Sequence, residues 1–424
     1  MTKATRIWKK LKRNQTILAN FSYLSILQVF TIVCPLITYP YLLRVIGTEL
    51  YGSIIFAQTL ITYISLIINF GFNISATRSV AVHKADRRVL SEIVSSVYTS
   101  KFFLWLLCLI VYLTLISIVS FFKNHFLLYF FSFFVTINEL LFPVWFFQGI
   151  EKMKYTTLIN IIVRSLFVIA VFVIIKSQSD YLYVPLLNTI GAMIAGIISV
   201  YIAFKQEHIR FFLLPVGKIY QHFKESLPLF ISIITSQIYV NLNKLIIGAF
   251  LGMNEITIYD LGEKILLALR MQILMIEQAV FPRITREKKI TFINKVLFIV
   301  LGIVIIEYTC VYLGSKWIAI FFMGIDSREV IDIINILGFS AILLAFRSSM
   351  AVCRLLCFGY NEVYMQTFLW GFLFFLCVIC ILFLFNMVNL YTLALLAVGV
   401  ELFICCLLLY NNSKLHLLYT KKKI

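Results

Sequence analysis

Charged residues are scarce in this sequence of 424 residues. Asp, Glu, Lys and Arg make up 13% of the chain, whereas hydrophobic residues make up 62%. Because a typical soluble domain contains about 25% charged residues, this composition excludes an ordinary water-soluble protein. Long apolar runs recur from residue 17 to residue 410. The composition therefore predicts an integral membrane protein.

Residue types that build catalytic and metal centres are also few. All five histidines lie in predicted loops or tails, without ligand spacing, and no phosphate-binding glycine loop occurs. Nearly all of the nine cysteines lie within apolar runs, which indicates no disulfide framework. Cys377 and Cys380 have C-x-x-C spacing, but they fall in the middle of a span, where buried cysteine usually packs as a small hydrophobe. We predict no enzyme, no metal site and no cofactor.

Twelve apolar runs are each long enough to cross about 30 Å of hydrocarbon as a helix. None shows the alternation of a membrane β-strand. We expect the first run to remain attached as a helix, because it is too long for a signal peptide and lacks a cleavage site. The predicted spans are 17–40, 53–72, 102–122, 126–148, 156–176, 182–204, 226–250, 256–281, 296–314, 332–353, 365–385 and 390–410.

Lysines and arginines are distributed unevenly between the predicted loops. One set of loops, which includes both tails, carries 27 of them, whereas the opposite set carries 5. The positive-inside rule then predicts that both termini lie in the cytoplasm. The net charge of +18 is explained by attraction to the anionic headgroups of the bilayer, so we predict no nucleic-acid partner.

The chain divides into two similar halves. We predict an N-terminal six-helix lobe at 1–207, a basic, amphipathic interfacial linker on the cytoplasmic side at 208–225, and a C-terminal six-helix lobe at 226–424. Gly47 and Gly252 end the first span of each half and are offset by 205 residues. Because each half has an even number of spans, the repeats are parallel. The predicted fold is an all-α membrane protein with two six-helix repeats around a central cavity.

Polar side chains follow one face of several predicted spans. Groups that share a helical face are Gln58, Thr62, Ser65 and Asn69; Thr157, Asn160 and Arg164; Ser232, Ser236, Tyr239 and Asn243, beside Asn241 and Lys244; and Asp260, Glu263, Lys264, Arg270 and Glu277. The neutral groups can simply join helices, at about 0.6 kcal/mol per contact. The charges favour a water-filled cavity, because an unpaired ion in hydrocarbon is costly.

Arg164 and three single glutamates occupy the middle of apolar spans. Arginine at mid-membrane depth costs about 2.5–3.5 kcal/mol on insertion scales, which suggests a function. Glu139, Glu307 and Glu401 are candidates for carrying protons or ions, although each can equally be a protonated or paired packing residue.

Two motifs are similar to those of a known family. The segment YPYLLRVIGTELYGSIIFAQTLITYISLIINFGFNISATR (39–78) and the segment WFFQGIEKMKY (145–155) resemble the Wzx-type polysaccharide flippases, members of the multidrug/oligosaccharidyl-lipid/polysaccharide exporter superfamily. The C-terminal half fits the pattern less closely. Asn243 stands where these proteins often have aspartate, so a charged role cannot be transferred to it.

The resemblance implies a flippase that moves undecaprenyl-pyrophosphate-linked O-antigen or capsular repeat units across the inner membrane by alternating access. An O-antigen polymerase and a chain-length regulator are implied partners. Two alternatives stay open: a multidrug or small-cation exporter of the same superfamily, and, with less support, a polysaccharide polymerase. The substrate-binding hypothesis covers Arg164, Arg270, Lys264, Lys244, Arg44, Arg78, Gln58, Asn69, Asn160, Asn241 and Asn243, and the ion-coupling hypothesis covers Glu139, Glu263, Glu307 and Glu401.

Overall fold

The described part of the chain is helical and contains no β-strand. The computed structural model describes residues 3–418, apart from the side chains of residues 3–19, 21, 232, 235, 236, 238–240, 278, 279 and 282. The helices are α1 (Lys3–Ile46), α2 (Thr48–Asn69), α3 (Phe72–Val82), α4 (Arg87–Ile118), α5 (Ser120–Lys123), α6 (Phe126–Phe133), α7 (Ile137–Leu141), α8 (Val144–Gly149), α9 (Met153–Ile174), α10 (Tyr183–Tyr201), α11 (Val216–Ile246), α12 (Met253–Glu287), α13 (Ile290–Met323), α14 (Arg328–Met350), α15 (Asn361–Leu384) and α16 (Leu390–Lys414).

Ten helical segments of the described chain are long and apolar enough to cross a membrane. The predicted seventh and eighth spans lie in α11 and α12, which are not among those ten. In α12, the segment from Asp260 to Arg270 contains four charged residues. The prediction of an all-α membrane protein is confirmed.

The predicted loop at 73–101 is largely helical. The Asp86 side chain caps α4 by accepting hydrogen bonds from the backbone N–H groups of Arg88 and Val89, at 2.9 and 3.2 Å. The helix therefore begins at Arg87, and Lys101 lies within it with 2% of its surface exposed. Arg354, which we also predicted in a loop, is 1% exposed in a π-helical segment, Ala351–Leu356. Two of the 27 cations assigned to cytoplasmic loops are thus buried.

Contacts group the residues into two compact units. Unit 1 comprises Met1–Ile46 and Ala57–Ile234, and unit 2 comprises Gly47–Phe56 and Thr235–Ile424. The divisions fall inside α2 and α11, so each of these helices contributes to both units. The lobe boundaries proposed from the sequence remain a prediction.

Unit 1 contains a helix break at Phe70–Gly71, between α2 and α3. Both residues have positive φ, 42° for Phe70 and 76° for Gly71. A side chain at Gly71 would strain the backbone and would also place a Cβ 2.9 Å from the backbone of Ser226 and Phe230. Phe70 stacks between Phe223 and Phe230, with ring centroids 3.9 and 4.5 Å away. These contacts hold the first half of α11 against the break.

A second break in unit 1 separates α7 from α8 at Phe142–Pro143. Proline has no backbone N–H, so the carbonyl of Glu139 loses its usual i+4 donor. The ammonium of Lys101 donates to that carbonyl instead, at 3.0 Å. The Tyr98 hydroxyl donates to the carbonyl of Leu141, at 3.1 Å. The freed backbone acceptors are therefore satisfied by side chains of α4.

Unit 2 is organised around α14, which packs against α12, α13 and α16. In the π-helical segment that follows α14, the guanidinium of Arg354 is held by neutral acceptors. It donates to the Ser349 hydroxyl at 2.8 Å, to the side-chain oxygen of Asn294 at 2.6 Å and to the carbonyl of Leu417 at 3.2 Å. Because buried cations need full hydrogen bonding, this arrangement ties the end of the described chain to unit 2.

Candidate functional site

Arg164 lies near the middle of α9 in unit 1. Helices α1 and α9 run side by side in the same direction, because the Thr157 hydroxyl donates to the Tyr23 carbonyl at 3.0 Å and the Tyr41 hydroxyl donates to the Ile175 carbonyl at 2.6 Å. The Nε atom of Arg164 is buried and has no hydrogen-bonding partner among the described residues. The Nε–H group of Arg164 is therefore a hydrogen-bond donor that no described residue uses.

Asn160 lies one turn before Arg164 on the same helix. Its amide donates to the Thr156 carbonyl at 2.8 Å, within α9. The structure thus keeps the predicted Asn160–Arg164 face together, but part of the hydrogen-bonding capacity of Asn160 is already used.

Asn69 joins two charged groups in unit 1. Its side-chain nitrogen donates to the Glu139 carboxylate at 2.6 Å, and its side-chain oxygen accepts from the Lys101 ammonium at 2.8 Å. The sequence suggested that Glu139 is a single carboxylate. In the structure, the side-chain amide of Asn69 links it to the buried ammonium of Lys101. We did not identify Lys101 from the sequence, although Asp86 was a visible helix-capping signal.

Four charged residues of unit 2 form one cluster. Lys244 Nζ lies 2.6 Å from a Glu263 oxygen and 3.4 Å from an Asp260 oxygen, and Lys264 is ion-paired with Asp260 one turn earlier on α12. Two cations and two anions give this cluster no net charge. Because Lys244 and Lys264 already contact carboxylates, they are weaker candidates for a phosphate site than Arg164.

A second group of charges connects α12, α14 and α16. One nitrogen of Arg347 donates to both oxygens of Glu401, at 2.6 and 2.8 Å. The hydroxyl of Ser348 donates to Glu277 at 2.5 Å. Arg270 is partly buried on α12. Glu401, predicted as a single glutamate, therefore has a cationic partner. Arg347 is that partner.

A cavity of about 80 Å³ lies inside unit 2. Glu263 and Glu401 both line it, together with Asn243 and Ser340. Asn243 is 2% exposed, and its amide donates to the Tyr259 hydroxyl at 3.0 Å. The side-chain oxygens of Asn243 and Ser340 are buried and have no partner among the described residues. The cavity thus joins carboxylates from both charged groups and offers further oxygen atoms to a small polar guest.

The remaining predicted residues are more dispersed. Gln58, Arg44 and Arg78 are exposed, and Asn241 is partly buried. Glu307 is half-buried on α13, and one of its carboxylate oxygens is buried without a partner in the described chain. The side chains of Ser232, Ser236 and Tyr239 lie outside the described residues. No cluster of His, Cys, Asp or Glu side chains within the described part could hold a metal ion.

Comparison with known proteins gives a family and two named relatives. Residues 17–288 match the model of a family described as "Polysaccharide biosynthesis protein". The chain is 28% identical over 299 residues to a Shigella dysenteriae protein and 27% identical over 280 residues to an Escherichia coli K12 protein. The matches cover 67% and 66% of this chain and 74% and 68% of the relatives, which both bear the name "Putative O-antigen transporter".

Solved structures show the same fold at low sequence identity. The lipid II flippase MurJ, in an inward closed conformation, matches with a TM-score of 0.74 and 12% identity, over 94% of this chain and 87% of that chain. An inward-facing multidrug resistance transporter of the MATE family matches with a TM-score of 0.69 and 14% identity, over 94% of this chain and 99% of that chain. Both likenesses support a twelve-helix transporter fold.

Proposed function

Because the chain belongs to the polysaccharide biosynthesis protein family, we propose that it flips undecaprenyl-pyrophosphate-linked oligosaccharide repeat units from the cytoplasmic to the periplasmic leaflet. The chain is a multi-pass protein of the bacterial inner membrane and a transporter, not an enzyme. The relatives named for O-antigen transport support an O-antigen unit as the cargo. We also propose that both termini are cytoplasmic, as the excess of basic residues on that side predicts.

The buried Nε of Arg164, which has no hydrogen-bonding partner among the described residues, is the observation that carries the proposal. A polyprenyl tail can remain in lipid, but pyrophosphate and sugars cannot cross bare hydrocarbon. An arginine at mid-membrane depth offers several N–H donors to such a polar head. Arg270 of unit 2 is the second proposed contact. Rocking of the two halves between two access states would then expose the polar head of the substrate first to the cytoplasmic side and then to the periplasmic side.

Complementation tests this function. A strain that lacks its own O-unit flippase should regain surface polymer with the wild-type chain. Arg164→Ala should abolish that recovery, Arg164→Lys should restore part of it, and Arg270→Ala should reduce it. Membrane levels must be matched, and Thr31→Val serves as the control because the Thr31 hydroxyl only donates to Leu27 of its own helix. Full activity of all three arginine variants would exclude these residues as substrate contacts.

The same experiment separates the flippase from the exporter. An exporter of small cations should lower the accumulation of cationic dyes and should leave several different O-unit strains without surface polymer. The flippase should restore polymer and leave dye accumulation unchanged. Either pattern decides between the two functions.

Ion coupling is a second part of the proposal. Glu263 and Glu401 line one cavity, although each also contacts a cation, so a proton or small cation entering there would change the charge balance of both pairs. Glu139 and Glu307 are the other proposed carriers. If transport is coupled at this cavity, Glu263→Gln and Glu401→Gln should each make flipping in proteoliposomes insensitive to an imposed ion gradient. Retention of that dependence in both variants would contradict the coupling role of the cavity.

A further inference from the structure

Asn69 of α2 lies between a cation and an anion of unit 1. Its side-chain nitrogen donates to Glu139 Oε2 on α7, at 2.6 Å, and its side-chain oxygen accepts from the Lys101 ammonium on α4, at 2.8 Å. Each polar end of the Asn69 amide therefore already has a partner inside unit 1, which makes it a weak candidate for the substrate contact that the sequence suggested. We refer to Asn69, Lys101 and Glu139 as the α2–α4–α7 group.

The hydrogen bonds of this group do not depend on the charge of Glu139. The Lys101 ammonium, 2% exposed, donates to the Asn69 side-chain oxygen and to the backbone carbonyl of Glu139, which are both neutral acceptors. The Glu139 carboxylate accepts from the amide of Asn69, which is also neutral. A proton can therefore add to the other carboxylate oxygen, Oε1, and leave these three hydrogen bonds in place.

Two carboxylates of unit 2 differ, because they contact cations directly. Glu401 accepts from Arg347 at 2.6 and 2.8 Å, and a Glu263 oxygen lies 2.6 Å from Lys244 Nζ. A proton on either carboxyl group would weaken an ion pair that a mostly buried cation needs, and this is costly. Of these three carboxylates, Glu139 is therefore the one that can gain a proton with its hydrogen bonds intact.

Lys101 is the cation that the described neighbours of α7 bring to Glu139. Helices α4 and α10 and the 3-10 turn Phe134–Thr136 pack against α7. Helix α10 contains no charged residue, and its two tyrosines are its first and last residues. On α4, the Tyr98 hydroxyl donates to the Leu141 carbonyl at 3.1 Å. The other charged residues of α2 and α4 lie farther along their helices, at Glu49, Arg87, Arg88 and Glu92.

The α2–α4–α7 group lies where two helices break. Asn69 is the last residue of α2, next to the break at Phe70–Gly71, and Glu139 lies one turn before Pro143. Beyond these breaks, α3 and α8 pack against each other, and they contain parts of the two motifs that resemble the flippase family. A change of charge at Glu139 therefore occurs beside the start of both helices.

We infer that Glu139 is a proton-binding carboxylate of unit 1, and that Asn69 and Lys101 are its positioning residues. A proton from water forms an O–H bond at Oε1, which neutralises the carboxyl group and leaves the α2–α4–α7 group with the positive charge of Lys101. Such a local change of charge can shift helices that begin at a break. The inference rests on the proposed function, in which transport is ion-coupled, and it names the proton as the ion bound here.

Infrared difference spectroscopy of the purified, full-length protein in lipid bilayers tests the group without substrate. A neutral carboxyl group has a C=O stretching band that a carboxylate lacks. Lys101→Met removes the compensating cation, and a buried carboxylate without compensation takes up a proton instead. This variant should therefore show one additional carboxyl band at about pH 8, where an ordinary glutamate is ionised. The double variant Lys101→Met/Glu139→Gln should lack the band, which assigns it to Glu139.

Flipping in proteoliposomes tests the role of the group in transport. The probe is fluorescent undecaprenyl-pyrophosphoryl N-acetylglucosamine, and its flipping rate is measured with and without an imposed proton gradient. Glu139→Gln and Lys101→Met should make the two rates equal, whereas Lys101→Arg should preserve their ratio because it keeps a cationic donor. Asn69→Leu should also lose the dependence. Asn188→Leu is the matched control and should retain it, since the Asn188 amide donates to Val184 of its own helix.

The outcomes separate this inference from the proposed function. A persistent effect of the gradient in Glu139→Gln would overturn the inference and leave coupling to the other proposed carriers. A Lys101→Met spectrum without the additional band would show that Lys101 does not compensate Glu139, and would overturn it as well. A wild-type protein that does not flip the probe, with variants that give the expected spectra, would contradict the proposed function and leave the proton site in place.

Discussion

Lys244 and Arg347 of unit 2 each lie 2.6 Å from a carboxylate oxygen, whereas Arg164 of unit 1 has no ion pair among the described residues. These two cations of unit 2 are held by opposite charges of the same unit. The Nε atom of Arg164 is instead buried without a hydrogen-bonding partner among the described residues. We propose that the mid-membrane charge serves structure in unit 2 and ligand binding in unit 1. The presence or absence of a partner distinguishes the two roles.

The largest effect is expected when an ion pair of unit 2 is broken. Glu401→Leu leaves the guanidinium of Arg347 without its carboxylate, in a site where both side chains are mostly buried. We expect the free energy of unfolding to fall by about 3 kcal/mol, measured by thermal unfolding of the purified protein. The double variant Arg347→Leu/Glu401→Leu should recover most of this loss. A double variant as unstable as the sum of the single variants would contradict the pairing.

A smaller effect is expected at the buried cation of unit 1 that does have partners. Lys101→Met leaves the carbonyl of Glu139 and the side-chain oxygen of Asn69 without their donor. We expect a loss of about 2 kcal/mol in the same unfolding measurement. Lys101→Arg should lose less, because it keeps a cationic donor. Equal stability of Lys101→Met and wild type would show that Lys101 does not support the break at Pro143.

A neutral contact of unit 1 should matter still less. Thr157→Val removes the hydrogen bond from the Thr157 hydroxyl to the Tyr23 carbonyl. Such contacts between membrane helices contribute about 0.6 kcal/mol. The unfolding temperature should therefore change only slightly, and surface-polymer complementation should be retained. A loss as large as that of Lys101→Met would indicate that the α1–α9 packing depends on this single bond.

Arg164→Leu should cause no loss of stability, although it should abolish complementation. The substitution leaves no protein partner unpaired among the described residues and removes a charge that is costly at mid-membrane depth. The unfolding temperature should equal or exceed that of wild type. A decrease comparable to that of Glu401→Leu would show that Arg164 is a structural cation like Arg347, and the comparison between the two units would fail.

Some of these features follow from the sequence and others do not. Apolar runs and a shortage of charge predict the helical membrane fold, because backbone groups in lipid must be satisfied within helices. The position of Arg164 in an apolar run is enough to select it. The sequence does not show which charged side chains contact each other. Arg347 and Glu401 are 54 residues apart, and no spacing along the chain reveals that they meet.

Helix boundaries are also only partly predictable from the sequence. Apolarity predicted the third span from residue 102, but the cap at Asp86 starts α4 at Arg87. Charged and polar residues occupy the first turns of α4, so hydropathy alone places them in a loop. Lys101 was therefore counted with the cytoplasmic cations, and its link to Asn69 and Glu139 could not be predicted.

The order in which these partners leave the ribosome differs between the two units. Asn69 precedes Lys101 by 32 residues, so an acceptor is already present when the ammonium enters the membrane, and Glu139 follows 38 residues after Lys101. Glu401, by contrast, is synthesised 54 residues after Arg347, as part of α16. A nascent chain that stops before α16 would therefore lack the carboxylate to which Arg347 donates at 2.6 and 2.8 Å. The ion pair between α14 and α16 can thus form only after α16 has been made.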